Sequence, residues 1–256
     1  QKQTEPSFVC PKCFSRLEEY DDKTICMGCK QEYPLKHGIT DLRLVLKSKD
    51  GKWVAKNFNT VYSNAPTPDS RFEYLALGIP EFAEKYRRDR KDIALINFIK
   101  QEKPGMILDI GCGDGFFCSE ILNSSPEIYH YLGIDISEFR IDRFKTMIEI
   151  KNLDKVHVNL ANAEHLPFQN EIFDIVIMRE VLEHLMSPEL AFQEIQRILK
   201  QGGRVLITTP TRSMYRFWLT ASFVPTFLKR LFLRQPLINK KRLIVHDKPL
   251  ASKRIR

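Results

Sequence analysis

Between about residues 81 and 210 short apolar runs alternate with amphipathic stretches, and that alternation predicts strand, helix, strand in repeating order. Ile107-Leu108-Asp109-Ile110 is a strand-length run that ends in glycines. Tyr131-Leu132-Gly133-Ile134-Asp135, Val156-His157-Val158-Asn159-Leu160, Phe173-Asp174-Ile175-Val176-Ile177-Met178 and residues 204–208 are further runs of this kind. From residue 81 to 100, apolar residues recur at Phe82, Tyr86, Ile93, Ile96, Phe98 and Ile99, and Pro104-Gly105 ends this predicted helix. A second helix follows the glycines. Ser137 caps a third that reaches about Lys151, and residues 188–200 form a fourth, with Gln201-Gly202-Gly203 turning into the last strand. Strands alternating with helices imply an α/β fold: a Rossmann-like, doubly wound parallel sheet with its ligand at the carboxyl ends of the strands.

The chemistry concentrates where the first strand meets its glycines, Asp109-Ile110-Gly111-Cys112-Gly113-Asp114-Gly115. Glycine adopts backbone conformations closed to residues with a Cβ and lets a ligand approach closely. The stretch is a relative of the dinucleotide fingerprint, but an acid precedes the glycines. That acid would repel a pyrophosphate and suits a ligand with a positive amino group. A second acid, Asp135, ends the next strand 26 residues further on. At that place in a strand–helix–strand unit a carboxylate can take both hydroxyls of a ribose. Cys112, inside the turn, reads as packing.

The glycine stretch resembles motif I of class I S-adenosylmethionine (SAM) methyltransferases. The resemblance continues through Asp135, then Asn162-Ala163-Glu164-His165-Leu166-Pro167-Phe168, then the Phe-Asp strand, then Leu182-Glu183-His184-Leu185, and finally Leu199-Lys200-Gln201-Gly202-Gly203. It implies SAM as cofactor, with Asp109, Gly111, Gly113, Asp135, Ile136, Asn162, Ala163 and Arg179 around it. In the family an acid stands where this chain has Asn162 and accepts from the adenine amino group; the amide oxygen of Asn162 can also accept. The family fold usually ends with a further helix and two strands. Only 46 residues follow Pro210, with one strand-like run at Leu243-Ile244-Val245, so the last two strands are expected to be absent.

Cysteine spacing adds a second module. Cys10-Pro11-Lys12-Cys13 and Cys26-Met27-Gly28-Cys29 are two knuckles twelve residues apart, and four thiolates suit tetrahedral zinc. Gly28 is expected to tighten the second turn. Two disulfides are the other reading of four cysteines, but the polar first residues show no export signal. A segment of this size buries too little surface to fold unaided, so the metal would supply its stability. With Tyr33-Pro34 and Gly38-Ile39-Thr40-Asp41-Leu42, the segment resembles the short zinc ribbon placed before many bacterial methyltransferases. The expected organisation is a ribbon over 1–46, a linker over 47–80 whose aromatics pack onto the domain or, as the other reading, cap the active site, a SAM-binding core over 81–211 and a terminal segment over 212–256.

Charge sets the terminal segment apart. Of the 40 Lys and Arg, twelve lie in residues 212–256 against one acid, Asp247, which leaves the rest of the chain slightly acidic. Residues 214–233 are apolar and rich in aromatics, with basic flanks. Such a segment can lie in a membrane interface, cover a hydrophobic acceptor, or pack in a core with a basic outer face. Basic residues among aromatics also fit RNA. No run is long and apolar enough to span a membrane, and a cytoplasmic, optionally membrane-peripheral protein is expected.

Methyl transfer to a hydroxyl needs a base. Glu180, Glu183 and His184, at i, i+3 and i+4, would share one face of a short helix. His184 is the candidate base, with Glu180 beside it. The cluster resembles the Glu-x-x-Glu-His of quinone-ring O-methyltransferases, which implies a divalent metal as an option there. The expected acceptor is a small or lipid-like molecule methylated at oxygen. The alternatives are ribosomal or transfer RNA, and a non-catalytic SAM-binding or assembly subunit.

Overall fold

The computed structural model describes residues 8–36, 38–44, 81–124 and 130–209, with the backbone alone for 81–90. The linker aromatics and everything after Thr209, including the basic segment and the expected absence of two strands, lie outside the described residues.

Among the described residues nine strands form two sheets. The first is antiparallel and meanders in chain order: β1 (Leu17–Glu19), β2 (Lys23–Cys26), β3 (Glu32–Lys36) and β4 (Ile39–Thr40). The second is parallel, in the order β7-β6-β5-β8-β9. Its strands are β5 (Met106–Ile110), β6 (His130–Asp135), β7 (Val156–Leu160), β8 (Phe173–Arg179) and β9 (Leu199–Thr208). The α-helices among the described residues are α1 (Glu81–Glu102), α2 (Phe116–Ser124), α3 (Glu138–Lys151) and α4 (Pro188–Ile198). The chain winds outward from β5 to β7, returns to β8 on the other side of β5 and continues outward to β9. This is the doubly wound arrangement that the strand–helix alternation predicts, and it opens a crevice at the carboxyl ends of β5 and β8.

Every residue of β5 is buried because its two faces feed two cores. Ile107 packs with Ile99 of α1, Phe117 and Ile121 of α2, and Ile141 and Phe144 of α3. Met106, Leu108 and Ile110 pack with Ala191, Ile195 and Ile198 of α4 and with Leu166 and Phe168. A strand covered on both faces has no polar side to show, hence the continuous apolar run. Ile93 of α1 falls outside this pattern and is 56% exposed.

One boundary differs from the sequence reading. The last helix stops at Ile198, and Leu199-Lys200-Gln201 already belong to β9. Leu199 pairs with Phe173 across an irregularity in the β8–β9 register, while Ile172 N–H donates to Ile198 O at 2.8 Å. Sheet pairing overrides the local helix preference of Leu and Lys.

The cysteine ribbon is joined to the parallel sheet by backbone and side chains. Val9 N–H donates to Pro167 O and Leu42 N–H to Leu160 O, both at 2.9 Å, and Asp41 bridges Leu160 in parallel fashion. Arg197 of α4 donates to Phe168 O (2.6 Å) and Leu166 O (3.1 Å), forks onto Glu194 (2.9 and 2.8 Å) and lies 4.2 Å from the centre of the Phe14 ring in the ribbon. A lysine cannot reproduce that planar fork. Arg197→Lys is therefore expected to lose about 2 kcal/mol, read as a lower urea midpoint; an unchanged midpoint would show that the fork contributes nothing.

Candidate functional site

Gly111, Gly113 and Gly115 all take left-handed φ, at 73°, 58° and 81°. Side chains there would be strained and obstructed. A Cβ on Gly111 would stand 2.2 Å from Val181 Cγ2, and one on Gly115 2.3 Å from the Phe144 ring. The turn is tied down by Gly111 and Cys112 N–H groups donating to Ile134 O at 2.7 and 3.1 Å. Cys112 does pack, as read from the sequence. Its sulfur occupies the space where Gly133 has no side chain, and burial pushes its thiol pKa up.

Two carboxylates close the turn from below. Asp109 is buried, and Tyr131 donates its hydroxyl to Oδ2, while Oδ1 has no partner among the described residues. Burial pushes the Asp109 pKa up to about 6, against the pull of the Tyr131 hydrogen bond and of the Arg179 charge. Asp135 accepts from Gly113 N–H with Oδ2 (3.0 Å) and from Ser137 N–H with Oδ1 (2.8 Å). Ser137 caps α3 as expected, accepting from Arg140 N–H.

The contribution of Tyr131 was not legible in advance. In the parallel register Ile107 faces Tyr131 and Asp109 faces Gly133, so Tyr131 is the diagonal neighbour of Asp109 on the same face. Gly133 supplies no side chain between them. The strand pattern was visible in the sequence, but the pairing register was not.

Asn162 and Ala163 are buried at the end of β7. Asn162 Oδ1 accepts from Glu164 N–H (3.0 Å), and Nδ2 has no partner among the described residues. A backbone N–H needs an acceptor opposite it, so this bond fixes the amide orientation, with the oxygen already engaged. Glu164 accepts from Ser187 N–H at 2.7 Å and so caps α4.

At the end of β8, Arg179 donates to Asp92 of α1 (2.6 Å) and lies 3.8 Å from the centre of the Phe117 ring. Glu180 accepts from Lys91 at 2.8 Å and has left-handed φ, 52°. Adjacent residues of α1 thus hold adjacent residues of β8 and its exit. Sequence reasoning missed Lys91 and Asp92, because nothing local marks them apart from other charges on a helix face.

The expected helical cluster is not formed. Only Leu182–His184 make a 3-10 turn, and Glu180 precedes it with left-handed backbone. Glu183 accepts from Thr209 Oγ1 (3.1 Å), and burial raises its pKa. His184 is exposed. Among the described residues the side chains that converge as metal ligands are the four cysteines, not Glu180, Glu183 and His184. The left-handed residue at position 180 breaks the helical phase that the i, i+3, i+4 spacing requires.

The ribbon cysteines do converge. Their sulfurs lie within 4.8 Å of one another, with Cys10–Cys29 at 3.7 Å and Cys13–Cys26 at 3.4 Å. A disulfide needs about 2.05 Å, whereas sulfurs bonded at about 2.3 Å to one tetrahedral metal stand about 3.8 Å apart. The donor set therefore fits zinc. Hydrogen bonds from Ser15, then from Cys26, hold the Cys13 thiol down to about 6, and the Tyr33 hydroxyl lies 3.1 Å from Cys10 Sγ. Gly28 serves differently from expectation. Left-handed backbone at the knuckles falls on Phe14 and Lys30, one after each, and Gly28 leaves room for Ser15, whose Oγ would be 2.3 Å from a Cβ.

A family model described as a methyltransferase domain matches residues 101–234. The chain is 29% identical over 136 residues to a tRNA U34 carboxymethyltransferase of Desulfotalea psychrophila, covering 53% of this chain and 42% of that protein. It is 33% identical over 135 residues to a ubiquinone biosynthesis O-methyltransferase of Hydrogenovibrio crunogenus, covering 50% of this chain and 53% of that one. The crystal structure of the YcgJ protein of Bacillus subtilis aligns over 52% of this chain and 68% of its own, at a TM-score of 0.43 and 21% identity. The chain spans about half the length of the curated relatives it matches.

Two measurements check the site. Between the ordinary pKa of 3.8 and the folded value of about 6, the folded state keeps a proton on Asp109 that the unfolded chain has lost. Stability therefore falls as pH rises through that window. Relative to Asp109→Asn, the wild type is expected to lose about 2 kcal/mol between pH 4 and pH 7, measured by chemical unfolding; a flat difference would mean the carboxyl is never protonated there. Elemental analysis of protein purified under reducing conditions should find one zinc per chain, and none in Cys26→Ser.

Proposed function

The chain belongs to the methyltransferase-domain family, and on that premise we propose that it is an enzyme transferring a methyl group from S-adenosylmethionine to an oxygen of a small or lipid-like acceptor. The observation that carries the reading is the pair of buried carboxylates, Asp109 and Asp135, closing a turn of three left-handed glycines. S-adenosylmethionine brings an ammonium, a ribose diol and an electrophilic methyl group on a sulfonium.

Each feature has a counterpart in this chain. A buried carboxylate that resists ionisation, Asp109, gains most from a neighbouring positive charge. Each oxygen of Asp135 accepts one backbone N–H, and a carboxylate accepts about four hydrogen bonds, so two sites remain for a diol. Gly111 and Gly113 let the backbone approach a ligand. Ile136, Asn162 and Ala163, at the ends of β6 and β7, would border the nucleoside, and Arg179 keeps its charge near Asp109.

Displacement at a sulfonium methyl needs alignment and exclusion of water more than covalent help. A hydroxyl acceptor must also lose its proton. We assign that proton to His184, on the turn after β8. Glu180 is neutralised by Lys91, which favours a role in placing the turn over one as base. The tRNA-modifying relative supports a second reading, in which the acceptor is RNA. Among the described residues no helix is long and apolar enough to cross a membrane.

The test uses purified protein, methyl-labelled S-adenosylmethionine and total cell extract, partitioned into organic, aqueous and RNA fractions. Label is expected in the organic or small-molecule fraction. Label in RNA would replace the acceptor class, and binding without any transfer would support a non-catalytic subunit. With the acceptor in hand, His184→Ala should lower kcat by about 100-fold and leave cofactor affinity unchanged; near-normal turnover at saturating acceptor would remove His184 as the base.

A further inference from the structure

The ribbon has no part in the chemistry above, yet its exit segment reaches the cofactor end of the sheet. Leu42 is fully buried among Cys10, Cys26 and Tyr33, and its N–H donates to Leu160 O at the end of β7. The next residue, Arg43, grips Asp41 through Nε (2.7 Å) and Nη2, and reaches Glu138 Oε1 through Nη2 (2.7 Å). Its Nη1 donates to the carbonyl oxygen of Ile136 at 2.7 Å.

That last bond has a particular consequence. Ile136 C=O and Ser137 N–H are the two ends of one planar peptide unit. Ser137 N–H donates to Asp135 Oδ1 at 2.8 Å. Arg43 thus clamps one end of the plane whose other end orients the Asp135 carboxylate. Without Arg43 the unit can rotate about its flanking bonds, and the hydrogen bond that aims Asp135 weakens with it. Lys36 touches the same two acids, Asp41 and Glu138, but makes no bond to the peptide. A lysine at 43 would keep the charge, but a single ammonium cannot reach Asp41, Glu138 and the carbonyl in one geometry.

We infer that Arg43 is a positioning residue for the nucleoside end of the cofactor site, fixing Asp135 through the Ile136–Ser137 peptide and anchoring it to the cysteine ribbon. The assignment rests on the reading of Asp135 as a cofactor ligand. The reacting atoms are not touched by Arg43, and its effect is on binding.

The test compares full-length, zinc-loaded wild type with Arg43→Ala, Arg43→Lys and Lys36→Ala. Amide exchange is followed by NMR without cofactor, and S-adenosylmethionine affinity by calorimetry. Both Arg43 variants are expected to exchange the Ser137 amide at least tenfold faster, with Leu108 in β5 unchanged, and to bind S-adenosylmethionine about tenfold more weakly. Lys36→Ala should match wild type in both. Unchanged Ser137 exchange in Arg43→Ala overturns the inference, as does wild-type affinity in Arg43→Lys. Faster exchange throughout β5 would also overturn it, by showing a general loss of structure. If wild type binds no S-adenosylmethionine, the functional reading fails, while Ser137 exchange still decides whether Arg43 holds the peptide.

Discussion

Two carboxylates are held out of water at the ends of neighbouring parallel strands, and much of the surrounding structure serves to compensate them. A buried charge without partners costs far more than one hydrogen bond returns. Asp135 meets that demand with two backbone N–H groups, one from the glycine turn and one from the start of α3. Asp109 meets it only in part, through Tyr131 and the more distant charge of Arg179. The difference divides the pair by role. Asp135 is a fixed acceptor, already oriented. Asp109 is a site of unspent electrostatic demand, which a cationic ligand can satisfy.

Backbone geometry is the other half of that arrangement. The turn from β5 into α2 has to be left-handed at three positions and free of side chains at each. Only then can Gly113 N–H reach Asp135 and the start of α2 pack against Phe144 and Met147. Gly133 on the adjacent strand extends the same economy of space, because the Cys112 sulfur fills the position its side chain would take. A methyl group added at Gly111, Gly115 or Gly133 would displace the side chain of Val181, Phe144 or Cys112, and one at Gly113 would meet the Arg140 guanidinium.

Further support comes from outside the sheet. Lys91 and Asp92 of α1 bind Glu180 and Arg179, so the residues leaving β8 are placed by a helix that precedes every strand of the parallel sheet in sequence. The ribbon acts from the opposite edge, through Val9, Leu42 and Arg43. Its four thiols surround one point, and Leu42 packs directly beside them while holding Leu160. Charge pairing at both seams is at least half-buried, where it is less screened than on an open surface.

Much of this was determined by sequence alone. The alternation of apolar runs and amphipathic segments is dictated by strands buried on both faces and helices buried on one, so the parallel core and its strands were legible from residue type and spacing. The three glycines, the acid ending each of two strands and the paired cysteine knuckles were equally local, since each depends on what a residue can do within a few positions of itself. Tertiary structure decided the rest. Tyr131 finds Asp109 through a strand register that no local pattern encodes. Leu199 leaves its helix because Phe173 offers it a partner. Glu180 loses its place beside Glu183 and His184 because the chain turns left-handed there, next to Lys91. Arg43 meets Ile136 across 93 positions of sequence. Side-chain pattern sets which face of an element is buried, but a contact between distant positions depends on how those faces are brought together.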